Sequence, residues 1–343
     1  MSLRLSSGLT AFVGENGAGK TSILDAIHLL GTGKPFTTRR VDNVIQRDAD
    51  AVQVVGGLSD PSKVVLGVRR SRGGGGEARV AGSPVKTLSE LAKAMPLVVI
   101  NAEALGVVRD GPEGRRKFID SFVFHVEHDF AQTSRRYMYS LRQRNALLRG
   151  RRAVDDAVWV RDLALAGESL VAARQRGVVA VTEALHSVLD DMRVSLPEWR
   201  LVQRSGWSAN LSLADSLAAA AISDRQRGFT QVGPHRGDVV FLVQGSPAHE
   251  VLSRGQIRVL MAATKLAQAR VMRHESGISP VLLVDDVAAE LDTENAAGLF
   301  RIMVSDGFQV LATMVDAAGP SSWTQNGLSN VFHVEHGAIT DGN

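Results

Sequence analysis

With 343 residues, 44% of them hydrophobic and 22% charged, the chain has ordinary globular composition and is long enough for two well-buried lobes. The absence of cysteine excludes disulfides and Cys-ligated metal sites, and there is neither a signal core nor an apolar run near the roughly eighteen residues of a membrane span. A cytoplasmic chain without membrane contact is expected; a net charge of +3 is too small to mark a nucleic-acid binder, and aromatics at 5% make base stacking no obvious mechanism.

In chain order, Leu9–Val13 reads as a short buried strand, Gly14–Gly19 as a Gly-rich loop and Thr21–Leu30 as an amphipathic helix. Val52–Leu58 and Val64–Arg70 are strand candidates joined by a turn at Asp60-Pro61. Gly73–Gly76 reads as a hairpin tip, since no Lys-Ser/Thr and helix follow it, and Leu97–Ile100 as another buried strand. From Arg115 to Ala221 the pattern is helical, with Phe118, Phe122, Tyr137, Leu141 and Leu148 marking one series and Leu163, Leu170, Val178, Leu185 and Leu189 another. After Gly233 the α/β pattern returns: a strand at Val239–Val243, a long helix at Gly255–Arg273, and strands at Val281–Val284, Phe308–Leu311 and Val331–Val334, the last closing the chain. This predicts an α/β ATPase-type lobe in two parts, 1–110 and 233–343, interrupted by a helical lobe over 111–232. The pentapeptide Phe-His-Val-Glu-His occurs at both 124–128 and 332–336, in different contexts that suggest coincidence. His125, Glu127 and His128 lack supporting metal ligands and read as core or surface residues.

Charge is unevenly spread. Between Arg109 and Arg152 there are 11 Lys/Arg against 5 Asp/Glu, a local excess of +6. Arg suits phosphate contacts, and Arg115, Arg116, Arg142 and Arg144 are candidates for DNA binding. The alternative is a helix face whose cations pair internally with Asp120, Glu127 or Asp129.

Gly14-Glu15-Asn16-Gly17-Ala18-Gly19-Lys20-Thr21 is a complete G-x-x-x-x-G-K-T between a strand and a helix. Its glycines let backbone N–H groups curl around phosphate oxygens, Lys20 reaches the outer phosphates and the Thr21 hydroxyl suits Mg²⁺. Pro280–Asp286 is an apolar strand ending in two carboxylates, placing Asp285 where α/β sheets bind ligands, as a Mg²⁺ ligand, and Asp286 next to it as general base. Such a pair could instead begin a turn. Leu252-Ser253-Arg254-Gly255-Gln256 heads a helix 32 positions before Asp285, and Ala289-Glu290-Leu291-Asp292 follows the acidic pair. Taken alone, Ser253 is a good N-cap. In this order with the P-loop, the three motifs are the signature, Walker B and D-loop of ABC ATPases, in which the signature completes the nucleotide site of a second subunit.

Within that class the sequence resembles the RecF family. The resemblance rests on Gly14–Thr21 and Ser253–Gln256, on Gly111–Asp120, on the helix ending Gln143-Arg144-Asn145-Ala-Leu-Leu, on Gly233-Pro234-His235-Arg236, and on Phe332-His-Val-Glu. It implies a Rad50/SMC-like head without a long coiled coil. It also implies an ATP-dependent homodimer on single-stranded and gapped double-stranded DNA, slow hydrolysis of ATP with Mg²⁺, and cooperation with RecO and RecR in loading RecA at gaps. An ATP-dependent clamp that does not hydrolyse is the alternative. By resemblance, Ser253, Gly255, Gln256 and Asp292 meet the partner subunit's nucleotide, and Asn101 lies near the Q-loop position. Asp286 stands where ABC proteins usually carry Glu, and Met314 where many carry a switch histidine, so a slow switch is expected. Gly237 stands where the family usually has an acid, with Asp238 beside it. The family normally has a further strand upstream of the 13 residues that precede Gly14, so an edge strand framing the adenine is expected to be missing or to lie before Met1.

Overall fold

The structure, a computed structural model, describes residues 2–38, 40–58, 63–150, 156–315 and 328–342; the expected turn at Asp60-Pro61 lies outside them. Two compact units divide the chain: Met1–Leu105 with Asp191–Val194 and Gly277–Asn343, and Gly106–Asp190 with Ser195–Ser276.

The first unit opens with β1 (Leu9–Val13) and α1 (Lys20–Thr32). There follow β2 (Ala51–Gly57), β3 (Val65–Ser71), β4 (Gly76–Val80), β5 (Ser83–Pro84), α2 (Ser89–Ala94), β6 (Leu97–Ile100) and α3 (Ala102–Gly106). The second unit contains α4 (Pro112–Val126), α5 (Phe130–Arg149), α6 (Ala157–Asp191), β7 (Trp199–Arg204), α7 (Leu213–Arg227), β8 (Asp238–Val243), β9 (Ser246–Pro247), α8 (Ala248–Val251) and α9 (Arg254–Ser276). The chain then completes the first unit with β10 (Val281–Asp285), α10 (Thr293–Ser305), β11 (Val310–Met314), β12 (Leu328–Glu335) and β13 (Ala338–Gly342).

The main sheet has the order β13-β12-β1-β11-β10-β6. All neighbours in it are parallel except β12 and β13, which form an antiparallel hairpin. β1 and β11 are buried at every position, as continuous apolar strands in the middle of a parallel sheet must be. Phe12 stacks on Phe332 at 5.7 Å and anchors a core with Leu24, Leu283 and Leu311. A second sheet, β2-β3-β4-β5, is an antiparallel meander packed on Leu29 and Leu30 of α1. Its β3–β4 turn is the glycine run, where Gly73 to Gly76 all take positive φ, a conformation that costs glycine little.

In the second unit, helices α4 to α7 and α9 accompany the sheet β7-β8-β9. α6 has 35 residues and buries Leu163, Leu170, Val178, Leu185 and Leu189 along its length, so it is a core helix and not the root of a long coiled coil.

Three expectations need correction. The boundaries fall near 105 and 276, not at 110 and 232, because β8 pairs with β7 and α9 packs on α4; residues 233–276 therefore belong with the helical unit. The strand expected at Phe308–Leu311 spans Val310–Met314, after a Gly307 turn with φ 73°. Val331–Val334 does not close the chain, since β13 returns antiparallel to it.

Candidate functional site

The loop between β1 and α1 is shaped by close backbone approaches. A Cβ on Gly14 would stand 2.2 Å from the Val334 carbonyl oxygen of β12, so only glycine fits there. Gly17 and Gly19 take φ of 84° and 103°, turning successive N–H groups toward one centre at the head of α1. The hairpin β12–β13 braces the loop, because Gly337 N–H donates to the Ala18 carbonyl at 2.9 Å. Ala18 is buried, while Glu15 and Asn16 are exposed. Lys20 is buried and donates to the Gly14 and Glu15 carbonyls at 2.8 and 2.9 Å, which curls its ammonium back over the loop.

At the C-terminal end of β10 the Thr21 hydroxyl donates to Asp285 Oδ1 at 3.0 Å. The Thr313 hydroxyl, from the end of β11, donates to the same oxygen at 2.7 Å and accepts the Asp286 N–H at 3.0 Å. This chain Thr21–Asp285–Thr313–Asp286 fixes the Asp285 carboxylate and the Asp286 backbone at the edge of the cradle. Asp286 sits in the left-handed region, φ 52°, as the last residue before a short 3-10 turn. Burial, and the Asp285 carboxylate next to it, push the Asp286 carboxyl upward from its ordinary value. A hard oxygen pair at Thr21 and Asp285 suits Mg²⁺, and the curled N–H groups with Lys20 suit a polyphosphate, so these residues fit the nucleotide and metal that the motifs call for.

The other motif residues have local partners. Ser253 and Gln256 form a capping box on α9: Ser253 Oγ accepts the Gln256 N–H at 3.2 Å and Gln256 Oε1 accepts the Ser253 N–H at 3.0 Å. Gly255 lies in the first turn with open space where a Cβ would be. Asp292 is the N-cap of α10, accepting from the Asn295 N–H at 2.9 Å, and its carboxyl is held below its ordinary range by that bond. Asn101 likewise accepts the Ala104 N–H at the start of α3. Met314 is buried, and its carbonyl accepts the Gly14 N–H.

The arginine candidates separate. Arg144 is 1% exposed and donates to Asp224 at 2.6 Å and Asp156 at 3.0 Å, so it is removed from any surface that meets DNA. Arg115 forms a two-bond pair with Asp238 and also donates to the Asp110 carbonyl; Arg116 donates to the Gly237 carbonyl at 2.7 Å. Arg142 is exposed. Glu127 is held by Arg176 in a two-bond pair, and burial takes the His125 imidazole down to about 4.

Thr313 and Asp25 escaped sequence reading, which assigns the Gly233–Arg236 motif no role. Asp25, buried one turn beyond Thr21 on α1, accepts the N–H groups of Phe36 and Thr37 and the Thr37 hydroxyl, pinning the segment after α1. Gly233–Arg236 is a junction of the second unit. His235 Nε2 donates to the Thr230 carbonyl, which leaves Nδ1 to accept the Tyr137 hydroxyl at 2.6 Å. The Pro234 carbonyl accepts from Arg174, whose guanidinium also grips Asp120 of α4. Burial takes the His235 imidazole down to about 4 and pushes the Tyr137 phenol upward.

The fold and this site define an ABC-type P-loop ATPase head of the SMC kind. Residues 1–340 match the family described as RecF/RecN/SMC N terminal domain. The chain is 38% identical to the DNA replication and repair protein RecF of Thioalkalivibrio sulfidiphilus, covering 98% of this chain and 94% of that one, and 36% identical to that of Stutzerimonas stutzeri, covering 99% and 93%. It therefore belongs to the RecF family. Among solved structures, the recombination mediator protein RecF with ATP in the RecFOR pathway aligns over 99% of this chain and 93% of that chain, with TM-score 0.87 at 23% identity. An Smc head bound to the C-terminal winged-helix domain of ScpA aligns over 99% and 91%, with TM-score 0.55 at 16% identity. At these identities both attest the fold.

Proposed function

We propose that this chain is an ATP-dependent DNA-binding protein of recombinational gap repair, which dimerises on ATP, hydrolyses it slowly, and helps RecO and RecR load RecA at gapped DNA. The observation that carries the reading is the Thr21–Asp285–Thr313–Asp286 chain beside the Gly14–Lys20 cradle. Its setting in DNA repair rests on the names of its relatives.

In this reading the P-loop N–H groups and Lys20 hold the nucleotide phosphates, while Thr21 and Asp285 hold Mg²⁺, which when bound neutralises phosphate charge. Asp286 takes the proton of the attacking water. Its carboxylate is one methylene shorter than the usual Glu and its backbone is fixed by Thr313, which fits slow turnover. Ser253, Gly255, Gln256 and Asp292 meet the nucleotide of a second copy, so hydrolysis and DNA release are tied to dimer formation and separation. No helix among the described residues is long and apolar enough to cross a membrane.

Sedimentation of the protein with short gapped DNA, with and without ATP, beside Lys20→Met, tests the reading. ATP should drive dimers and tight DNA binding in the parent only. A parent that stays monomeric and indifferent to ATP overturns it.

A further inference from the structure

Helix α5 carries five arginines and no acid over Phe130–Arg149. Two of them are taken: Arg136 pairs with Asp162 and Arg144 lies in the buried cluster with Asp156 and Asp224. The other three, Arg135, Arg142 and Arg149, are exposed, and among the described residues nothing pairs with them. They recur every seventh position. Seven residues advance a helix by about 10.5 Å and return within about 20° of the same direction, so the three guanidiniums form one line about 21 Å long.

That line includes an aromatic ring. Tyr139 lies four positions after Arg135 and three before Arg142, hence on the same face, and is 50% exposed. Trp159 of α6 meets it edge-on, with centroids 5.8 Å apart at 70°, which holds the ring upright; Met138 beside it is also exposed. A regular row of unpaired arginines suits a row of phosphates, and a half-exposed ring braced between two of them suits a base. A duplex keeps its bases stacked inside and would leave the ring unused.

We propose that the outer face of α5, formed by Arg135, Tyr139, Arg142 and Arg149, binds a single strand of DNA, with phosphates along the arginine row and a base on Tyr139. This rests on the DNA-binding function proposed above and places one contact surface for it. It replaces Arg115, Arg116 and Arg144 with residues whose charge is uncommitted, and keeps Arg142. An acidic protein segment would use the same cations but has no need of Tyr139.

The test is fluorescence anisotropy of a labelled single strand and of a matched duplex, in ATP and Mg²⁺, over a series of salt concentrations. The combined variant Arg135→Gln, Arg142→Gln and Arg149→Gln should lose on the order of a hundredfold in single-strand affinity, and its salt slope should shrink by about 2, near 0.7 for each lost phosphate contact. Tyr139→Ala should lose about tenfold on the single strand and leave duplex affinity unchanged. All four side chains are exposed, and unchanged thermal melting of the variants confirms that folding is not what was lost. A parent that binds while the triple variant matches it in affinity and slope overturns the surface and leaves the DNA-binding function standing. Loss in the triple variant with no effect of Tyr139→Ala, or an equal effect on both DNAs, overturns the assignment to a single strand. A parent that binds neither DNA overturns both proposals together.

Discussion

Single side chains here are set by their polar neighbours more than by their position in a motif. Burial holds the His235 ring toward its neutral form, against the pull of the Thr230 carbonyl on its Nε2–H, while Nδ1 accepts the Tyr137 hydroxyl. Its folded value of about 4 lies below the 6.5 of an unfolded imidazole, so the unfolded chain binds the extra proton between those values. Stability is therefore full above about pH 6.5 and is lost as pH falls toward 4, by about 2 kcal/mol at pH 5 for this group. Denaturant unfolding at pH 7 and pH 5 should show that loss, and His235→Asn should reduce it, with the buried His125 and His28 adding losses of the same sign. Asp286 has the opposite displacement, and in its proposed role it serves as a base only when ionised. Asp286→Asn should lower ATP turnover by about a hundredfold or more while ATP-bound dimers persist. Unchanged turnover would favour a clamp that barely hydrolyses.

At the scale of elements, the helical unit is bound together by arginines that composition alone would assign to DNA. Arg144 on α5 neutralises Asp224, which is fully buried on α7 and also accepts from Gln231. Arg144→Met should destabilise the protein by about 3–5 kcal/mol, because a buried carboxylate is left without its cation. Thermal unfolding checks this, and Arg142→Met serves as the exposed control with little effect. A local excess of +6 was legible in the sequence; which arginines were spent was not, since Arg115 meets Asp238 and Arg144 meets Asp224 across long stretches of chain. The domain boundary was misplaced for the same reason, the pairing of β7 with β8 leaving no local mark. By contrast the placing of Lys20 and Thr21 at the loop was legible because its curved backbone dictates a short, rare string, and that of Asp285 because an apolar strand ends there in two carboxylates. Thr313 and Asp25 escaped because a Thr ending a strand and an Asp within a helix are commonplace until their partners are seen.

For the whole molecule, the order of motifs makes a quantitative demand. If each nucleotide is held by the P-loop of one copy and the Ser253 segment of another, a mixed dimer of Lys20→Met and Ser253→Arg has both lesions in one site and none in the other. Each variant alone should be inactive, and mixing them should restore activity, up to about a quarter of the parental value if pairing is random, since only mixed dimers carry an intact site and each carries one. Absence of rescue, with dimers shown by sedimentation, would mean that nucleotide is not shared between copies.

The placement of β1 also has a consequence for how the protein is made. β1 leaves the ribosome well before its neighbours β11 and β12, which are encoded about 300 codons later, and Gly14 and Ala18 rest on residues of the β12–β13 hairpin. The phosphate cradle therefore cannot take its final form on a nascent chain. Translation that stops short of β12 yields a product whose P-loop lacks this support, so a prematurely terminated chain is expected to hold phosphate poorly.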